Sequence, residues 1–255
     1  MNIRKLEQDE KNDALNLVRE VFFTSGNCGL NKEGAHSFLE YVSAKGEMLE
    51  YFGAYEGDLR GIIGYEPQDY HIALFFVRKE DQRKGIGTKL MQALIREAEE
   101  AETGRLTVRA LDKAVNAYKA FGFEEDGESK QEYGSAFQEM EYLLGKEWLG
   151  RDVTVTVELP YGSIHPGLPD TLCSCNVGYV EELVSAGNFI DAYVYGLNEP
   201  CESFRGTVIA LIYHRDSSSI RFVVSNDRKY DKKDVINTVA FAEQYSDTRF
   251  LWLEG

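Results

Sequence analysis

Residues His71 to Leu90, reading HIALFFVRKEDQRKGIGTKL, bring together the groups in this chain best suited to hold an anion. His71 to Val77 is a short apolar and aromatic run of the length expected for a buried strand. Gln82-Arg83-Lys84-Gly85-Ile86-Gly87 follows, and a helical pattern runs from Thr88 to about Ala101. A strand, a glycine turn and a helix start converge backbone N–H groups on one point. The first N–H groups of a helix have no internal partner, and the helix dipole favours negative charge there. Gly85 and Gly87 carry no Cβ, so a ligand can approach the backbone closely. Arg78, Lys79, Arg83, Lys84 and Lys89, against Glu80 and Asp81, make this a basic island in an acidic chain. The spacing matches neither nucleotide fingerprint: no third glycine completes G-x-G-x-x-G, and no Gly-Lys-Ser/Thr follows. A plain strand-to-helix turn with a solvated charge run is the reading that needs no ligand.

The elements that must position this loop come from periodicity. The chain has 255 residues, 43% of them apolar, and a net charge of −15. That length allows one large or two small domains. Residues 1–150 carry 28 acids and 19 bases, and the remainder 15 and 9, so both halves are acidic. This balance argues against nucleic acid or an anionic membrane as partner. No run has the apolar length of a membrane span, and MNIRKLEQDE does not read as a signal peptide. Cys28, Cys173, Cys175 and Cys201 form no C-x-x-C pair, which points to a cytoplasmic protein without a zinc site. Asn2 to Leu6 reads as a strand, Asp9 to Phe23 and Glu33 to Ala44 as helices, and Leu49 to Tyr65 as a hairpin turning at Glu56-Gly57-Asp58. After the glycine loop, Leu90, Leu94, Ile95 and Ala98 line one helix face. Arg105 to Ala110 alternates as a strand, Ala114 to Ala120 is a short helix, and Phe123–Glu128 with Phe137–Leu144 closes as a hairpin.

The loop Q-x-x-G-x-G, closing a strand and opening a helix, resembles the acetyl-CoA pyrophosphate loop of the GNAT superfamily of N-acetyltransferases. The order β-α-α-β-β-β-α-β-α-β-β is that of its fold. Ala114-Val115-Asn116-Ala117-Tyr118-Lys119-Ala120-Phe121-Gly122-Phe123 resembles its second motif, a short helix followed by Gly-Phe. The resemblance covers about residues 1–144. It implies an α/β (α+β) fold with a mixed central sheet, and acetyl or other acyl transfer from coenzyme A to a small amine or peptide amine. It assigns the pyrophosphate to Gln82, Arg83, Lys84, Gly85, Ile86, Gly87 and Thr88, and the pantetheine arm to the backbone of Phe75, Phe76 and Val77, with Asn116 near it. Tyr118, four residues before Gly122, takes the general-acid position. Some family members place a glutamate eleven residues before the loop glutamine; here that position is His71, and Glu66 is the alternative. No metal is expected. The acceptor approaches through residues 23–36 and the closing hairpin, and nothing in the residues identifies it.

Gly145 to Arg151 reads as a linker, placing a first domain at 1–145, a linker at 146–151 and a second domain at 152–255. Many short strands and one late helix, Asp231 to Tyr245, suggest a small OB-like β-barrel with a C-terminal helix. Glu158-Leu159-Pro160, Gly162-Ser163, Cys175-Asn176-Val177-Gly178-Tyr179 and Asp191-Ala192-Tyr193-Val194 resemble the soluble inorganic pyrophosphatases. Of that family's D-x-D-x-x-D motif only Asp191 remains; Ala186 and Asn188 stand at the earlier positions. Val177 replaces a phosphate-binding tyrosine, and Ser246 follows Tyr245 where a lysine is usual. One carboxylate cannot neutralise a multi-metal site, so this half reads as a scaffold that has lost hydrolysis. A bifunctional enzyme with residual phosphoanhydride hydrolysis, a non-catalytic acetyl-CoA sensor and a homodimer remain open alternatives.

Overall fold

The computed structural model describes residues 1–101, 103–168, 170–183, 189–217 and 219–254. The chain forms two compact units, Met1–Ala101 with Arg105–Leu143, and Leu144–Gly255 with Glu102–Gly104. Ala186 and Asn188 lie outside the described residues.

In the first unit, strands β1 (Asn2–Lys5), β2 (Glu50–Glu56), β3 (Asp58–Glu66), β4 (His71–Val77) and β5 (Arg105–Leu111) lie side by side. β8 (Ser135–Leu143) follows β5 and carries the short strands β6 (Glu124–Glu125) and β7 (Lys130–Glu132). The closing segment is therefore not one hairpin: β8 is the long strand, and it pairs with both short ones. Only β4 and β5 pair in parallel; the other pairings of this sheet are antiparallel.

Helices α1 (Lys11–Thr24) and α2 (Lys32–Lys45) cover one face. Ala14, Leu15, Leu17, Val18 and Val21 of α1 and Val42 of α2 form a core with Tyr51, Ile62 and Leu74 of the strands. The Asn31 side chain caps α2 by accepting from Gly34 N–H at 2.9 Å, the role for which Asn is favoured at this position. Strand alternation sends Gly61, Ile63 and Tyr65 to the opposite face. There α3 (Ile86–Glu100) packs through Ile86, Leu90, Met91, Leu94 and Ala98. The short α4 (Asp112–Ala120) follows β5. Among the described residues no helix is long and apolar enough to cross a membrane.

In the second unit, β9 (Asp152–Leu159), β10 (Asn176–Val180), β11 (Asp191–Tyr195), β12 (Ser203–His214) and β13 (Ile220–Ser225) close into a five-stranded barrel, because β12 pairs with both β9 and β13. β14 (Thr248–Trp252) adds to β12. Gly178 sits at the bulge where β10 meets β9. A Cβ there would stand 1.8 Å from Thr156 O, so no other residue fits. Helix α5 (Lys232–Glu243) lays Val235, Val239 and Phe241 on Tyr193, Ile212 and Val223, with the buried Cys173 and Cys175 beside them. The stretch expected as a linker holds a 3-10 turn, Lys146–Trp148. It belongs to this unit: Gly150 N–H donates to Val208 O at 2.9 Å, and Trp148 packs on Phe222.

Candidate functional site

Two irregularities in β4 shape the centre of the first unit. β4 follows β3 along its whole length, but Ala73 is an extra residue between the pairs Tyr65↔Ile72 and Gly64↔Leu74. A bulge of this kind bends the strand and re-aims its backbone. On the other side, β4 pairs with β5 only at His71↔Thr107 and Ile72↔Val108, whereas β5 stays paired to β8 as far as Leu111. The two parallel strands part immediately before the bulge. Beyond Ile72, the edge of β4 that faces β5 has no strand partner, so its peptide groups are open to a ligand that can hydrogen-bond like a strand.

The glycine loop lies past the end of the parted strand. Gln82 Nε2 donates to Val77 O at 3.1 Å and ties the loop to the strand end. Arg83 and Gly85 both adopt left-handed backbone, φ 62° and 80°. Gly85 is the N-cap of α3, has no side chain to cap it, and a Cβ added there would meet nothing within 4 Å. No acidic residue occupies the first turn of α3. The leading N–H groups of α3 thus have no side-chain cap and no acidic neighbour in the first turn, an arrangement that favours an anion. Lys84 Nζ is bonded to the buried Asp81 at 2.9 Å, and Arg60 Nη1 stands 3.6 Å from the other carboxylate oxygen. The Lys84 bond, first, and the Arg60 charge hold the Asp81 carboxyl below its ordinary range.

On the α3 side, Phe75 links the loop to α4. A Cβ on Gly87 would stand 3.3 Å from the Phe75 ring. The Phe75 and Tyr118 rings lie 6.2 Å apart, and Phe121 and Phe123 complete the aromatic wall. Burial pushes the Tyr118 phenol well above its ordinary value. A groove of about 570 Å³ between α3 and α4 is lined by Thr88, Met91, Gln92, Arg96, Phe121 and Tyr142. Asn116 is exposed on α4. Two residues from Tyr118 on a helix, it points nearly the opposite way, so the structure does not bring these two together.

On the α2 side stands a polar row. Glu66, His71 and Thr107 are registered opposite one another on β3, β4 and β5, so they share a face. His71 Nδ1 meets Thr107 Oγ1 at 2.8 Å, and Tyr41 Oη donates to Glu66 Oε1 at 3.0 Å. Burial, then the Glu66 carboxylate, raise the Tyr41 phenol. The two residues weighed as alternative proton acceptors are thus neighbours, one pair before the strands part. Phe76 points to this face, 5.9 Å from Phe38, while Val77 ends the strand. Nothing in the sequence sets Tyr41, Thr107 and the Ala73 bulge at this site. Only strand register and helix docking bring them here.

Residues 29–144 match the family model described as acetyltransferase (GNAT) domain. A search of curated proteins finds no match. Among solved structures, the chain is similar to a GCN5-related N-acetyltransferase from Rhodopseudomonas palustris, at 17% identity over 56% of this chain and 95% of that one, TM-score 0.48. PaiA N-acetyltransferase from Thermoplasma acidophilum, in complex with coenzyme A, matches at 14% identity over 56% and 99%, TM-score 0.46. A ribosomal-protein-alanine N-acetyltransferase from Brucella melitensis matches at 22% identity over 56% and 100%, TM-score 0.41.

Proposed function

We propose that the first unit, whose residues 29–144 match the acetyltransferase (GNAT) domain model, transfers an acyl group from coenzyme A to an amine. The observation that carries this reading is the parting of β4 from β5 beside an uncapped, glycine-led helix start. An arm rich in amides needs strand-like partners, and a pyrophosphate needs convergent N–H donors; this chain offers both in sequence.

When bound, the thioester supplies an activated acyl carbon that an amine attacks directly. The backbone N–H groups from Gly85 to Thr88 hold the pyrophosphate. The open edge of β4 from Ala73 to Val77 orients the arm, and an N–H near the bulge polarises the thioester carbonyl. The amine enters from the α2 face, where His71 accepts its proton and Glu66, held by Tyr41, offers a second acceptor on the same row. Tyr118 on the opposite face keeps its proton because it is buried, and it donates to the departing thiolate. The chain works in the cytoplasm on a small amine or a peptide amine.

The second unit fits a pyrophosphatase-like barrel that has lost hydrolysis. The one acid left at the D-x-D-x-x-D positions, Asp191, lies 3.4 Å from Arg221, and a single carboxylate there cannot assemble a multi-metal site. Magnesium-dependent phosphate release from pyrophosphate by the full chain would refute this part.

The decisive experiment for the first unit is a panel of amines assayed with acetyl-CoA for free-thiol release, alongside hydrogen exchange with coenzyme A. Turnover with at least one amine class is expected, with amides 73–77 and 85–88 protected. Protection confined to other segments would overturn the assignment.

A further inference from the structure

The second unit devotes a buried network to fixing a single arginine. Glu243 of α5 is 5% exposed. It accepts from Tyr193 Oη at 2.5 Å and Arg221 Nη1 at 2.5 Å, and its other oxygen meets His214 Nε2 at 2.7 Å. His214 Nδ1 in turn meets Ser219 Oγ at 3.1 Å. Arg221 Nη1 also donates to Tyr193 Oη at 2.9 Å, and Arg221 Nε stands 3.4 Å from Asp191. Burying these groups is often no better for stability than apolar packing. What the network provides is a guanidinium locked along its Nη1 and Nε sides. Its Nη2 makes no hydrogen bond among the described residues.

Arg221 lines a cavity of about 180 Å³ with Glu158, Leu159, His165, Val177 and Asp191. That is far above the roughly 10–15 Å³ a single water needs and below the ~300 Å³ at which drug-sized pockets begin. The walls carry both signs of charge. A simple anion there would face two carboxylates, and a simple cation would face the guanidinium. Among the described residues no group of three or more His, Cys, Asp or Glu is placed to hold a metal ion.

We infer that this cavity binds a free α-amino acid with a small aliphatic side chain. The ligand carboxylate takes the open Nη2 of Arg221, where a planar guanidinium binds best. Its ammonium lies between Glu158 and Asp191, and its side chain rests on Leu159 and Val177.

The test is calorimetric titration and thermal melting of the full chain with alanine, valine and leucine. Isobutylamine, which lacks the carboxylate, isovalerate, which lacks the ammonium, and inorganic phosphate run in parallel. At least one of the amino acids binds saturably and raises the melting temperature, while each single-charge compound binds about tenfold more weakly or not at all. Glu158 is exposed and outside the network, so Glu158→Gln leaves unliganded melting unchanged and weakens amino-acid binding about tenfold or more. Asp191→Asn serves as the second variant; Arg221 is left intact because its loss strands the buried Glu243 charge. The inference falls if none of the three amino acids binds at millimolar concentration, or if isobutylamine or isovalerate binds equally well. It falls equally if phosphate binds most tightly, or if Glu158→Gln changes nothing.

Discussion

Replacing Tyr118 by phenylalanine tests whether this residue is a proton donor or only a wall of the cleft. The ring is 7% exposed and packs against Phe75, Phe121 and Phe123. Burial is the sole cause of its raised pKa, and no hydrogen bond contributes. The substitution therefore keeps the packing and breaks no bond within the protein. Stability should change by no more than about 0.5 kcal/mol, or ~2 °C in melting temperature. If Tyr118 protonates the departing thiolate, kcat falls by about 10²- to 10⁴-fold, equivalent to roughly 3–5 kcal/mol of transition-state stabilisation. The KM for acetyl-CoA stays within about twofold, because the hydroxyl is used only as the bond breaks. The phenol holds its proton beyond the ordinary value of about 10, so the wild type keeps this donor across neutral and mildly alkaline pH. The assay is thiol release at saturating acetyl-CoA, with melting of both proteins in the same buffer. Turnover within about twofold of wild type would refute the acid role. A melting loss above about 5 °C would refute the packing account.

Gln82→Ala removes the bond to Val77 O that ties the loop to β4. It should raise the KM for acetyl-CoA several-fold with little change in kcat, as steady-state kinetics will show. Burial alone would raise the Glu243 carboxyl, but the bonds from His214 and Tyr193 and the Arg221 charge prevail and lower it from 4.5 to about 2. A depressed folded pKa stabilises above the unfolded value and is lost as pH falls through the folded one, so roughly 3 kcal/mol disappears on acidification from neutral pH. The wild type should lose melting temperature between about pH 4.5 and about 2. Glu243→Gln should lose that dependence and cost about 3–5 kcal/mol at neutral pH, read as the melting transition of the second unit. Gly178→Ala drives a Cβ to within 1.8 Å of Thr156 O and should cost more than about 4 kcal/mol; a retained second-unit transition near the wild-type temperature would contradict this.

The form of the glycine loop was legible in the sequence because everything that makes it is local. Strand, left-handed glycine and helix start are set by residues within a few positions of one another, and so are the apolar stripes of α1, α3 and α5. The extra residue at Ala73, the parting after Ile72, and the row of Tyr41, Glu66, His71 and Thr107 were not legible. Each depends on the register between strands that are far apart in the chain. The same holds for Arg221, whose partners Asp191, Tyr193 and Glu243 come from β11 and α5. Asn116, two residues from Tyr118, faces nearly the opposite way because successive helical residues turn by about 100°. Backbone propensity and charge spacing act over a few residues and can be read off the chain. Which polar groups meet across a sheet is decided by how burial of the apolar faces aligns the strands, and only the folded molecule contains that alignment.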